Sequence, residues 1–438
     1  MTRVEPRRPG GFAELLPGEQ IAFNAMLSTI RDTYEKYGYA PLDTPDLERT
    51  EVLLAKGGGE TEQQLYSFTR EGSKTNLTLR YDLTVPLARY VAEHETELTF
   101  PFRRYHIGKV HRAERQQKGR FREFYQCDID VIGSDSPLID AELPAVINEI
   151  FDAFNFGEFT IRLNNRMILT GFFEGLGLRD VSAEVLRVVD KIDKLSSEVF
   201  VSELSSVGLS DTQISRVRDF IAISGSNADI LQRLKTIDIP SEQYHQGIEK
   251  LSAVVAALAA MGVPESRVRV DLRIARGLDY YTGTVYETTL NDYPEVGSVC
   301  SGGRYDNLAG YYTKTELPGV GISIGMSRLF SKLREIPGLI SIDRQSPAEV
   351  IVVPISTDQQ SYAIELAAML RKAGVPTVLF ADDVPMKKKL RFADKMGFAY
   401  VAIVGDDEMQ SGTVSLKSME TGDSETFTKD DFIVRLQK

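Results

Sequence analysis

Positive charge in this chain is gathered where a polyanion could be held. Residues 103–122 carry Arg103, Arg104, Lys109, Arg112, Arg115, Lys118, Arg120 and Arg122 against one acid, Glu114. Arginine dominates the group, and its planar fork matches phosphate geometry better than a lysine ammonium does. Gly119, set between basic residues, lets a loop backbone approach a phosphate closely. A run of charge is more often a solvated face. Here, however, strand-like stretches on both sides, RRYHIGKVHR and EFYQCDIDVIG, would hold the arginines rigidly. The combination points to a triphosphate or RNA site.

Three further segments carry residue types suited to such a site. In RIARGLDYYTGTVYE, residues 273–287, Arg276 precedes Gly277, placing a cation at a turn that leads into Asp279, Tyr280 and Tyr281. Tyrosines in a strand usually pack into a core, which is the blander alternative. SGGRYD, residues 301–306, contains a glycine pair that alone signals little more than a turn. In GVGISIGMSRL, residues 319–329, glycines alternate along a strand, so another backbone or a flat ligand could lie close, and Arg328 opens a helix. No Walker A loop, nucleophile elbow or CxxC pair is present. His106 and His111 lie five apart in a strand and face opposite sides. Phosphates would then be held by arginines and acid-bound magnesium.

The elements that must position these residues read as follows. Residues 19–38 form an amphipathic helix through Ile21, Met26, Leu27, Ile30 and Tyr34, ended by Gly38. Leu77, Leu79 and Tyr81 alternate as a strand, and Pro86 suits the first turn of a helix. Residues 138–154 are helical and FTIRLN is a strand. From about Met167 to Ala259 helical periodicity runs on, as in an inserted module. Strand signals return until residue 333, and residues 334–347 make a Pro-containing linker. The tail alternates β-α-β-α over about 90 residues, which implies a parallel or mixed sheet flanked by helices. The fold class expected is α+β: an antiparallel-rich body with a helical insertion, then a separate α/β domain.

Composition narrows the class. The net charge of −12 excludes a protein coated in positive charge but not a local basic patch. Two cysteines in 438 residues cannot be a disulfide framework, so a reducing, cytoplasmic setting is expected. No run of 18 apolar residues predicts a membrane span, and the basic N-terminus lacks the apolar stretch of a secretory signal.

Taken together and in this order, the segments resemble the histidyl-tRNA synthetases, a class II aminoacyl-tRNA synthetase family, over nearly the whole chain. PLDTPDLERTEVLLAKG is similar to motif 1, RRYHIGKVHRAERQQKGRFREFYQCDIDVIG to motif 2 and its loop, and GVGISIGMSRLF to motif 3. ARGLDYY and GGRYD resemble the segments peculiar to the histidyl enzymes. The sequence departs from the common bacterial pattern at Asp82 and Asp130, where many relatives have Glu, and at Ser327, where Glu is usual. The resemblance implies a catalytic domain in two parts, 1–166 and 260–333, an insertion domain 167–259, and an anticodon-binding domain 348–438. It implies ATP as substrate with Mg2+, L-histidine and tRNA(His) as partners, a homodimer built on motif 1, and no membrane partner. By that resemblance Arg112 and Arg276 are catalytic, and Arg112, Glu114, Arg120 and Arg328 bind ATP. Asp82, Thr84, Gln126, Asp130, Arg276, Tyr280 and Tyr281 bind histidine, with Asp130 and Tyr281 on the imidazole. No metal-ligating residue is assigned. The alternative is a non-catalytic paralogue that serves as regulatory subunit of ATP phosphoribosyltransferase. Such paralogues usually lack the tail and degrade the arginines kept here.

Overall fold

A computed structural model describes residues 3–55, 64–69, 76–114, 120–192, 195–275, 281–306 and 308–437. The chain forms two compact units, Met1–Ala13 with Leu27–Glu335, and Glu14–Met26 with Ile336–Lys438.

The first unit is built on an eight-stranded sheet in the order β1-β5-β6-β11-β10-β9-β7-β8. Its strands are β1 (Ala40–Pro41), β5 (Phe102–His111), β6 (Glu123–Ile132), β7 (Phe159–Asn165), β8 (Val268–Val270), β9 (Thr284–Leu290), β10 (Ser298–Tyr305) and β11 (Gly319–Ile324). The six central strands pair antiparallel, and β1 and β8 add parallel edges. The small strands β2 (Leu47–Arg49), β3 (Ser67–Phe68) and β4 (Leu77–Leu79) form a separate sheet in the order β2-β4-β3.

Alternation along β6 sorts its two faces. Cys127, Ile129 and Val131 are fully buried on one face, where the Tyr34 hydroxyl donates to the Cys127 carbonyl at 3.0 Å. Gln126, Asp128 and Asp130 stand on the other. The helix Pro137–Phe154 is tied to the sheet by a buried network around Asp140. Arg304 Nε reaches its carboxylate at 2.9 Å, and the hydroxyls of Thr284 and Tyr286 donate to its Oδ2 at 2.6 Å and its carbonyl at 2.7 Å. The arginine of GGRYD is thus a buried structural cation, not a ligand group.

The expected helical insertion is present as helices from Arg166–Gly175 to Glu242–Ala260. Gly171 and Gly247 let the first and last of these close on each other. A Cβ at Gly171 would lie 2.5 Å from the Tyr244 nitrogen, and one at Gly247 2.8 Å from the Ile168 nitrogen. The insert shares one compact unit with the sheet.

The second unit carries the expected β-α alternation. Its sheet runs β13 (Thr377–Leu379), β12 (Val350–Pro354), β14 (Tyr400–Val404), β15 (Thr413–Ser418), β16 (Ser424–Thr428), parallel over the first three and antiparallel after. Lys389, in the Lys-rich helix Met386–Lys395, is buried and donates to the Pro354 carbonyl at 2.8 Å. One of the four cations in that helix therefore closes a strand end instead of facing solvent.

Candidate functional site

The cleft lies on the polar face of the large sheet. Its floor follows from strand register. His106, Asp128, Ser323, Ser301, Glu287 and Arg162 stand opposite one another across β5, β6, β11, β10, β9 and β7. Side chains in register share a face, so the sheet presents a polar row. Asp128, Ser323, Ser301 and Glu287 of that row line a cavity of about 490 Å³. Arg162 pairs with Glu287 at 3.0 Å and fixes that end of the row.

Of the residues singled out in the sequence, Asp82, Thr84, Arg112, Glu114, Arg120, Gln126, Tyr281 and Arg328 line this one cavity. Arg276 and Tyr280 lie outside the described residues. Asp130 is close by but does not reach the cavity. It is 2% exposed, accepts the Tyr305 hydroxyl at 2.6 Å and pairs with Arg104 Nη2 at 2.7 Å. It leans over Gly321, whose absent Cβ would fall 1.9 Å from Asp130 Oδ1. The alternating glycines of β11 thus make room for side chains of the sheet itself. A Cβ at Gly319 would likewise meet the Tyr305 ring at 2.3 Å.

The basic island divides into several jobs. Arg103 pairs with Glu142, Arg104 with Asp130 and Lys109 with Glu123, all as structural ion pairs. Arg122 Nε donates to the Glu114 carbonyl at 3.1 Å. Arg112 and Arg120 are the two that line the cavity; Arg115 and Lys118 lie outside the described residues. Arg112 Nε donates to the Tyr81 carbonyl at 3.0 Å and its guanidinium stands 5.1 Å from the centroid of the Phe124 ring. These contacts hold the cation in a fixed pose over the cleft. Arg120 pairs with Glu114 at 3.0 Å. Arg328, on the helix Met326–Leu333, donates to the Val296 carbonyl at 3.0 Å, and Gly297 gives it room.

Opposite these cations sits a group of buried acceptors. Asp82 Oδ1 caps the helix Thr84–Glu93 by accepting from the Val85 N–H at 3.1 Å, while its Oδ2 has no partner among the described residues. Gln126 Nε2 donates to Ser323 Oγ at 2.7 Å, and the Ser323 hydroxyl donates in turn to Asp128 Oδ1. Gln126 Oε1 is also buried and without a partner among the described residues. Burial pushes the Asp82 carboxyl up to about 6, against the pull of the Val85 N–H and Arg112. Burial pushes Asp128 further, to about 7, opposed by Arg104 and reinforced by Asp130. Orphaned acceptors are costly in a folded protein and mark where a ligand's N–H groups belong. Arginines on one side and orphaned acceptors on the other suit a zwitterionic molecule joined to an anionic one.

Sequence reasoning missed Asp128, Glu287, Ser301 and Ser323. The available signal was parity: Asp128 shares its face with Gln126 and Asp130.

Comparison with known proteins gives concordant results. The family described as histidyl-tRNA synthetase matches residues 11–329, and the one described as anticodon binding domain matches residues 349–438. A histidine–tRNA ligase of Clostridium tetani is 50% identical over 98% of this chain and 98% of its own length. A crystal structure of histidyl-tRNA synthetase from Nostoc superposes with a TM-score of 0.92 at 38% identity, covering 99% of each chain. A structure from Bacillus halodurans described as an ATP phosphoribosyltransferase regulatory subunit/histidyl-tRNA synthetase has a TM-score of 0.74 at 22% identity, covering 89% of this chain and 97% of that one.

Proposed function

Because the chain belongs to the histidyl-tRNA synthetase family, we propose that its cleft joins L-histidine to ATP and then passes the histidyl group to tRNA(His). The observation that carries this reading is the division of the cavity. The fixed guanidinium of Arg112 lies on one side, and the unpartnered Asp82 Oδ2 and Gln126 Oε1 lie on the other.

In the first step a carboxylate oxygen of histidine attacks the α-phosphorus of ATP, the bond to the bridging oxygen breaks, and pyrophosphate leaves. The nucleophile belongs to the substrate, so the protein supplies placement and charge. Asp82, Gln126 and Thr84 take the α-ammonium, which orients the carboxylate. Arg112 meets the α-phosphate, where negative charge accumulates in the transition state; fixed donors of this kind contribute about 10²–10³ in rate. Arg276 approaches the same charge from the histidine carboxylate side. Arg120 and Arg328 hold the outer phosphates and Glu114 the adenine end. Tyr280 and Tyr281 close the amino-acid side. In the second step a hydroxyl of the terminal tRNA ribose attacks the carbonyl carbon of the adenylate and AMP leaves.

ATP is taken as its magnesium complex. Among the described residues no group of three or more His, Cys, Asp and Glu side chains could hold a metal ion. Mg2+ commonly keeps its waters and is bound through phosphates and one or two carboxylates, and Glu114 is placed for that. The tail unit reads the anticodon. A homodimer forms through the motif 1-like segment at residues 41–56, and solution mass should be about twice 48.8 kDa. A fully active monomer would refute the dimer. Among the described residues no helix is long and apolar enough to cross a membrane, and we place the enzyme in the cytoplasm. The regulatory-subunit alternative rests on likeness of fold alone. Charging of tRNA(His) with labelled histidine tests the reading: accumulation of histidyl-tRNA supports it. A chain that binds histidine yet charges no tRNA would favour the regulatory alternative.

A further inference from the structure

The cleft contains a carboxylate to which neither the sequence motifs nor the family resemblance gives a role. We infer that Asp128 is the carboxylate that reads the imidazole of the substrate, while Asp130 acts behind it as a positioning residue. This rests on the reading of the cleft as a histidine-activating site.

Three observations carry the assignment. First, Gln126, Asp128 and Asp130 share one face of β6, but only Gln126 and Asp128 line the cavity. Second, what each aspartate faces across the sheet decides where it points. Asp130 is opposite Gly321 and occupies the space a Cβ would take, turning both oxygens to Tyr305 and Arg104. Asp128 is opposite Ser323, whose hydroxyl holds one of its oxygens. The other oxygen takes no hydrogen bond among the described residues. Third, the Ser323 hydroxyl also receives Gln126 Nε2, so one hydroxyl sets the pose of both side chains and turns Gln126 Oε1 outward.

The chemistry fits an imidazole. Its neutral form carries one N–H donor, and its cation two. A carboxylate oxygen on a nearly closed floor accepts such a donor, whereas an apolar side chain would leave it unpaired. Sites that demand a hydrogen bond reject analogues lacking it far more strongly than apolar pockets reject a wrong shape. Tyr281 lies against Gly303, where a Cβ would come within 2.9 Å of its ring, and bounds the same space. Arg104 pairs with Asp130 and also donates to the Leu83 carbonyl at 3.1 Å, so the rear group ties β5 and β6 to the loop bearing Asp82.

The test uses the full chain and histidine-dependent ATP–pyrophosphate exchange, with melting temperature as the control for folding. Asp128→Asn should raise KM for histidine at least about tenfold with KM for ATP within about twofold. It should also lower the preference for histidine over phenylalanine in kcat/KM. Asp130→Asn should lower the melting temperature and depress kcat, with little selective change in KM for histidine. Ser323→Ala removes only the hydroxyl that poses Asp128. It should reproduce the rise in histidine KM in milder form at unchanged melting temperature, which keeps the inference testable if Asp128→Asn folds poorly. A selective histidine KM defect in Asp130→Asn, with Asp128→Asn and Ser323→Ala close to wild type, would overturn the assignment. Absence of histidine-dependent exchange in the unaltered chain would instead overturn the functional reading beneath it.

Discussion

Gly321→Ala tests how the floor of the cleft is built. The added Cβ would sit 1.9 Å from Asp130 Oδ1 and 2.6 Å from its Cγ. Ordinary contact for such a pair begins at about 3.4 Å, so the carboxylate must retreat by about 1.5 Å in a close-packed interior. That retreat breaks the hydrogen bond from Tyr305 at 2.6 Å and the ion pair with Arg104 at 2.7 Å. Separating a buried ion pair leaves an uncompensated charge and costs about 3–5 kcal/mol. Urea unfolding should show a loss of that size, and exchange activity should fall with it. Gly325→Ala is the matched control on the same segment, because a Cβ there meets nothing nearer than the Val299 carbonyl at 4.0 Å. It should be neutral or slightly stabilising, since alanine reduces the freedom of the unfolded chain. A Gly321→Ala protein as stable as wild type would refute the geometry given for Asp130, and with it the reason Asp128 alone faces the cleft.

Other expected outcomes follow from the same contacts. Asp140→Asn should cost about 3–5 kcal/mol, read by urea unfolding, because Arg304 is 2% exposed and would lose its counter-charge; a loss under about 1 kcal/mol would contradict the buried pair. The ligand-free Asp128→Asn protein should gain stability over wild type as pH rises. The carboxyl of Asp128 moves from the ordinary 3.8 to about 7 because of burial, and is raised further by Asp130 and Asp82 against Arg104. The wild-type fold therefore favours the protonated acid, a contribution complete below about pH 3.8 and lost as pH rises through about 7. The amide variant lacks that loss, so its melting-temperature advantage should be larger at pH 8 than at pH 5; a pH-independent difference would contradict the assignment. Arg276→Lys should slow adenylate formation by about 10²–10³ and affect transfer from preformed histidyl-adenylate much less. In single-turnover measurements, equal damage to both steps would make Arg276 a structural residue.

Much of the framework was legible because local pattern and fold agree. The helix Pro17–Lys36 with Gly38 at φ 77°, the paired strands 102–111 and 123–132, the helix containing Pro86 and the β-α tail follow from periodicity and glycine or proline placement. The cleft residues Arg112, Arg120, Gln126 and Arg328 followed from charge type and motif order. What could not be read depends on pairing between distant segments. Whether Asp128 or Asp130 faces the cleft is set by Ser323 and Gly321, nearly 200 residues away, through the β6–β11 register. Charge counting could not separate Arg104, fully buried on Asp130, from Arg112 a few residues on. Glu287 looked like one polar residue in an apolar strand until its register with Ser301 placed it in the polar row. The division of the helix Pro17–Lys36 between the two compact units has no local signal, since its apolar spacing is continuous.

The most direct test of the account is ATP–pyrophosphate exchange by the purified full-length chain, offered each of the twenty amino acids in turn with MgATP. The account predicts exchange with histidine and near-background rates with the other nineteen, because only an imidazole and an α-ammonium together satisfy Asp82, Gln126 and Asp128. Exchange driven equally by an apolar amino acid, or none with histidine, would contradict it.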